Sequence, residues 1–87
     1  MKVNVLYGGG LSSLAGSSRE TVELSDGSTL QDLIDHLVSV HGKALVEAAG
    51  GRLIVLVNGR SQPISRAREV KLSDGDFVSL LPPVQGG

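Results

Sequence analysis

The residue best placed to do chemistry in this 87-residue chain is its last one. The sequence closes on "SLLPPVQGG". Pro82 and Pro83 restrict the backbone and remove two donors, so they end any strand that precedes them. Gly86 and Gly87 have no Cβ, so this stretch can enter a channel too narrow for any side chain. Residues 82–87 span about 20 Å when extended, at ~3.3 Å each. The α-carboxyl group, with a reference pKa of about 3.3–3.7, is ionised at neutral pH. An ionised carboxylate is inert as an acyl group until it is activated, typically by ATP as a mixed anhydride. A terminus that ends in glycine by accident would fray and do nothing. A rigid spacer followed by bare backbone is instead suited to offering that carboxylate to another molecule.

The rest of the sequence offers little that competes. There is no cysteine, which excludes a disulfide framework, a thiolate zinc site and a thiol nucleophile. The many serines include no Gly-x-Ser-x-Gly elbow. "YGGGLSS" lacks the Gly-Lys-Ser/Thr ending that sets a lysine and a hydroxyl on phosphate and magnesium. His36 and His41 have no acidic or thiol partner at ligand spacing, so no metal site is expected. Arg60, Arg66, Arg68 and Lys71 cluster in one irregular stretch and read as a solvated loop. The chain is therefore expected to catalyse nothing itself and to hold no cofactor.

The elements that must present the tail follow from periodicity. Residues 2–7 alternate Val3, Val5 and Tyr7 against Lys2, Asn4 and Leu6, the pattern of a strand. Residues 8–18 are small and read as a broad loop, and 19–24 return as a second strand carrying Val22 and Leu24. Ser28 with Gln31, or Thr29 with Asp32, has capping-box spacing. Leu30, Leu33, Ile34, Leu37 and His41 then form one helical stripe ended by Gly42. Residues 43–49 have the makings of one or two further turns. "RLIVLVNG" (52–59) is the strongest strand signal, stopped by Asn58-Gly59. Pro63 limits residues 60–70 to an irregular edge. "LSDG" occurs at 24–27 and again at 72–75, a reuse of turn chemistry, and "FVSLL" (77–81) is the last strand.

Strands on both sides of one main helix predict an α+β fold. The pieces fit a β-grasp (ubiquitin-like) arrangement: a mixed four- to five-stranded sheet, one main helix on one face, and the end strands adjacent and parallel at the centre. The expected division is a domain over 1–81 and a flexible tail over 82–87. Residues 53–57 are apolar at every position, which normally means cover on both faces. One helix covers only one. If Leu53, Val55, Val57, Val78 and Leu80 meet the helix, then Leu6, Ile54, Leu56, Phe77 and Leu81 form an open apolar face leading to the tail, and we read it as a docking surface. Eight basic and nine acidic residues leave a net charge of −1, no warrant for binding nucleic acid or an anionic membrane. No apolar run approaches the ~20 residues of a membrane span, and no leader pattern follows Met1, so a cytoplasmic location is expected.

With these residues in view, the sequence resembles the ubiquitin-like sulfur carriers and modifiers. "LVNGR" and "LSDGDFVSLLPPVQGG" are similar to the ending of the MoaD-type small subunit of molybdopterin synthase and of small archaeal modifier proteins. "YGGGL" resembles instead the ubiquitin-related modifier family. The resemblance covers essentially the whole chain and is most specific over 55–59 and 72–87. It implies that an ATP-dependent ubiquitin-activating-type enzyme adenylates the terminal glycine. The product then becomes a thiocarboxylate or an isopeptide to a target lysine. Gly87 matches the reacting glycine, Gly86 the one that threads the channel, and Leu81 the apolar position before the prolines. Phe77 departs from the polar residue common at its position. Expected partner contacts are Leu6, Ile54, Leu56, Phe77, Leu81, Pro82, Pro83 and Val84. Lys2, Lys43 and Lys71 are candidate self-conjugation acceptors. The alternatives are a MoaD-type subunit dedicated to molybdenum cofactor synthesis, whose tail enters a large sulfur-accepting subunit, and a β-grasp interaction module with an idle tail.

Overall fold

The computed structural model describes residues 1–47 and 52–83. Five strands form one sheet: β1 (Lys2–Tyr7), β2 (Arg19–Glu23), β3 (Ile54–Val57), β4 (Arg60–Gln62) and β5 (Phe77–Leu81). Their order is β2-β1-β5-β3-β4. The first and last strands lie side by side at the centre and run parallel, Val5 opposite Val78 and Tyr7 opposite Leu80. The other pairings are antiparallel. This is the β-grasp order that the sequence predicts.

The main helix, α2 (Leu30–His41), starts at Thr29, which settles the choice between the two capping-box candidates. The Asp32 N–H donates to Thr29 Oγ1 at 3.3 Å, and the Thr29 N–H donates to Asp32 Oδ2 at 2.8 Å. Two N–H groups that the helix leaves unpaired are thereby satisfied. At the other end Gly42 adopts φ 89°, open to glycine and costly for other residues, and its N–H donates to Val38 O at 2.8 Å. Leu30, Leu33, Ile34 and Leu37 are buried against Val3, Val5, Tyr7, Val55, Val78 and Leu80 of the sheet. At about 1.5–3 kcal/mol for each fully buried side chain of this size, that layer is the main source of stability.

Two segments carry more structure than the sequence suggests. Residues 8–18, expected as a loop, contain a short helix, α1 (Leu11–Ala15), with Leu11 buried under the sheet's edge of the core. Residues 60–70, expected as irregular, supply the short edge strand β4 and then a 3₁₀ segment, Ile64–Glu69, that buries Ala67. After α2 a single turn, α3 (Ala44–Glu47), buries Leu45. The rest of the further turns expected to residue 49 lies outside the described residues. The two "LSDG" stretches do share turn geometry, Gly27 at φ 86° and Gly75 at φ 85°.

Candidate functional site

The strands alternate as the face assignment requires. Leu53, Val55, Val78 and Leu80 are buried beneath α2, while Leu6, Ile54, Leu56 and Leu81 on the opposite face are half-buried. Phe77, which stands where a polar residue is common in the family it resembles, faces outward and is 52% exposed. Register brings these five into one field. Leu6 stands opposite Ser79, Ser79 opposite Leu56, Asn4 opposite Phe77, and Ile54 opposite Leu81. Beside Phe77 the field dips into a shallow hollow of about 330 Å³ walled by Asn4, Leu6, Arg19, Glu20 and Thr21. Among the described residues the other large exposed apolar side chains, Leu14 on α1 and Val40 on α2, stand on other elements.

A hydrogen-bonded knot fixes where this face begins. Asn58 (φ 51°) and Gly59 (φ 84°) make the two-residue turn between β3 and β4, a combination suited to a type I′ hairpin. The Asn58 side chain reaches across to β5: the Phe77 N–H donates to Asn58 Oδ1 at 2.9 Å, and Asn58 Nδ2 donates to Asp76 Oδ1 at 3.0 Å. Asp76 Oδ2 accepts from the Ser73 N–H at 2.8 Å, closing the turn before β5. The stretches 55–59 and 72–77 are thus one joint, and it holds the start of the strand that bears Phe77, Leu81 and the tail.

At the other end of β5 the tail root meets the glycines after β1. The Gly8 N–H donates to Leu80 O at 2.9 Å, and Leu81 and Pro82 lie against Gly8 and Gly9. Pro82 and Pro83 are half-buried. Val84, Gly86 and Gly87 lie outside the described residues. Lys2, Lys43 and Lys71 are all exposed; Lys71 makes an isolated bridge with Thr29.

One polar cluster went unseen in the sequence. Glu20 Oε2 accepts from the Tyr7 hydroxyl at 3.2 Å and lies 2.8 Å from His41 Nε2. The Tyr7 and His41 rings meet edge to face with centroids 6.0 Å apart. Burial, and then the Glu20 carboxylate, push the Tyr7 phenol well above its ordinary range. His41, in the last turn of α2, ties the end of that helix to β2. Glu20 sits opposite Val5 in register, on the covered side with Tyr7, and also borders the hollow beside Phe77. Among the described residues no group of three or more His, Asp or Glu is arranged to hold a metal.

The ThiS family matches residues 5–87. The chain belongs to the ThiS family. A relative from Chlamydomonas reinhardtii, described as a molybdopterin synthase sulfur carrier subunit, is 31% identical over the whole of both chains. The crystal structure of SAMP1 from Haloferax volcanii superposes with a TM-score of 0.78 at 26% identity, covering all of both chains. A protein–protein complex of subunits 1 and 2 of the molybdopterin-converting factor from Helicobacter pylori contains a chain that matches at 26% identity, TM-score 0.68, again over all of both chains. This ThiS-family chain is therefore a member of the sulfur carriers and ubiquitin-like modifiers, with their β-grasp fold.

Proposed function

We propose that the Gly87 carboxylate is the reacting group, and that a ubiquitin-activating-type enzyme activates it with ATP. The carboxylate oxygen attacks the α-phosphate, pyrophosphate leaves, and an acyl-adenylate forms. The outer sulfur of a persulfide on another protein then displaces AMP, and a second thiol cleaves the S–S bond, leaving a thiocarboxylate on this chain and a disulfide on the donor. Alternatively a lysine amine displaces AMP and forms an isopeptide, on a target protein or on Lys2, Lys43 or Lys71 of another copy. This chain supplies the acyl group and the surface by which the enzyme holds it; the catalytic groups belong to the partner. The reaction takes place in the cytoplasm.

The observation that carries this reading is the continuity of the open apolar field with the tail root. Leu81 belongs to the field and immediately precedes Pro82, so a partner that grips the field holds the tail at a set distance. Five apolar side chains on adjacent strands exceed the single exposures usual on a soluble surface. The carrier and modifier descriptions of the relatives support the same reading. A second reading draws on the Helicobacter pylori complex: the thiocarboxylate tail enters a large subunit that accepts its sulfur. The two are successive uses of one tail.

Deleting Gly86 and Gly87 tests the reading. The expected result is an unchanged melting temperature with complete loss of ATP-dependent activation, read as pyrophosphate release. The intact chain, given activating enzyme, ATP and a sulfur donor, gains the mass difference between sulfur and oxygen. Activation of the truncated chain at the intact rate would end the carrier reading and leave an interaction module.

A further inference from the structure

Gly8, Gly9 and Gly10 are chemically identical neighbours with different surroundings. A Cβ built on Gly8 would stand 2.2 Å from Leu81 Cδ2 and 3.6 Å from Leu80 O. On Gly9 it would stand 2.8 Å from Pro82 Cγ and 3.3 Å from Pro82 Cδ, at a φ of +54° that disfavours any side chain. On Gly10 it would meet nothing within 4 Å. A Cβ on Gly8 would force the end of the Leu81 side chain to move, one on Gly9 would meet the Pro82 ring at a strained φ, and one on Gly10 would meet nothing.

What lies over them is the tail root. The hydrogen bond from Gly8 N–H to Leu80 O, 2.9 Å, continues the parallel β1–β5 ladder past Tyr7. Bare backbone at Gly8 lets the Leu81 side chain settle against the sheet, and bare backbone at Gly9 does the same for the Pro82 ring. Proline holds its own φ and restricts the residue before it. A direction set at Leu81–Pro82 therefore also sets the course of Pro83, where the tail begins.

We propose that Gly8 and Gly9 are positioning residues for the reaction at Gly87: a side-chain-free track that fixes the direction in which the tail leaves the sheet. The inference rests on the reading of Gly87 as the activated carboxylate. Adenylation needs the carboxylate oxygen in line with the α-phosphate, and a misplacement of about 1 Å can cost about a hundredfold in such a step. A methyl at Gly8 displaces Leu81, tilts the root and misdirects the tip, while the rest of the apolar field still docks. The loss then falls on kcat rather than on KM.

The absence of native cysteine allows a direct measurement. Spin labels on Lys43→Cys and Gln85→Cys report the tail's direction as a distance distribution in the free protein. Gly8→Ala is expected to shift its mean by about 5 Å or more, on the scale of the ~20 Å reach of the tail, and Gly10→Ala to leave it unchanged. With activating enzyme and ATP, at a temperature where every variant is folded, Gly8→Ala should lower kcat about tenfold or more with KM within about twofold. Gly10→Ala should match the intact chain. Leu81→Val removes the methyl that Gly8→Ala would strike, so adding it to Gly8→Ala should restore most of kcat. Equal distances in the intact chain, Gly8→Ala and Gly10→Ala would overturn the inference. So would a shifted distance with unchanged kcat. If the intact chain itself is never activated, the reading of Gly87 fails, and the label distances still decide whether the glycines direct the tail.

Discussion

The two faces of the sheet are made of the same strands, yet one is a core and the other is a surface. In β3, Val55 is 1% exposed beneath α2, whereas Leu56, the next residue, is half-buried on the open side. In β5, Val78 is fully buried, whereas Phe77 is 52% exposed. Hydrophobicity does not distinguish them; parity along the strand does. The covered face is closed by a helix from this chain. The open face sets five apolar side chains among polar ones such as Asn4 and Ser79, and in the function proposed above a second protein covers them.

Charge placed on each face breaks the comparison most directly. Val55→Asp puts an unpaired carboxylate under α2 and should cost about 4 kcal/mol or more, seen as loss of the cooperative urea transition. Leu56→Asp and Phe77→Asp should instead leave stability within about 1 kcal/mol of the intact chain while weakening binding to the activating enzyme tenfold or more. If either unfolds the domain, that side chain belongs to the core and the two faces are not distinct. A smaller effect isolates the covered face alone. Thr29→Ala removes one side of the capping box and should lower stability by about 1 kcal/mol, as a lower urea midpoint with an unchanged slope, without touching docking.

The last effect is confined to alkaline pH. The Tyr7 phenol is held neutral in the folded chain, by burial and by Glu20, well past the pH at which an exposed tyrosine ionises. Above about pH 10 the unfolded chain therefore releases a proton that the folded chain keeps, and stability falls as pH rises. Tyr7→Phe should abolish that fall. Urea midpoints at successive pH values would show it, and an identical alkaline decline in the variant would contradict it.

The contrast between faces was legible in the sequence because strand parity needs only a few residues to declare itself. Val3, Val5 and Tyr7 in β1 are buried as their alternation requires, and the stripe of α2 is buried as its period requires. The joint of Asn58 with Asp76 was half legible: its turn residues stand out, but their mutual hydrogen bonds span 18 residues. The Tyr7–Glu20–His41 cluster was not legible at all, because its members are joined only by tertiary contact. Helix α1 escaped because five residues between glycines are too few to show a 3.6-residue period. The same stretch hid the demand on Gly8 and Gly9. A run of glycine reads as freedom until the side chains that cross it are known.

Strand β5 lies between β1 and β3, although it follows both in the chain. The backbone of Lys2 is bonded to Asp74, 72 residues away. Contacts of that separation must overcome loop-closure entropy before they return any stability, and they slow folding relative to local pairings. Until residues 77–81 insert, β1 and β3 share no neighbour and the layer under α2 stays open. The same strand sets Leu81 opposite Ile54 and Phe77 opposite Asn4. One strand thus completes both the layer under α2 and the open face, so a chain in which β5 has not inserted lacks the two together.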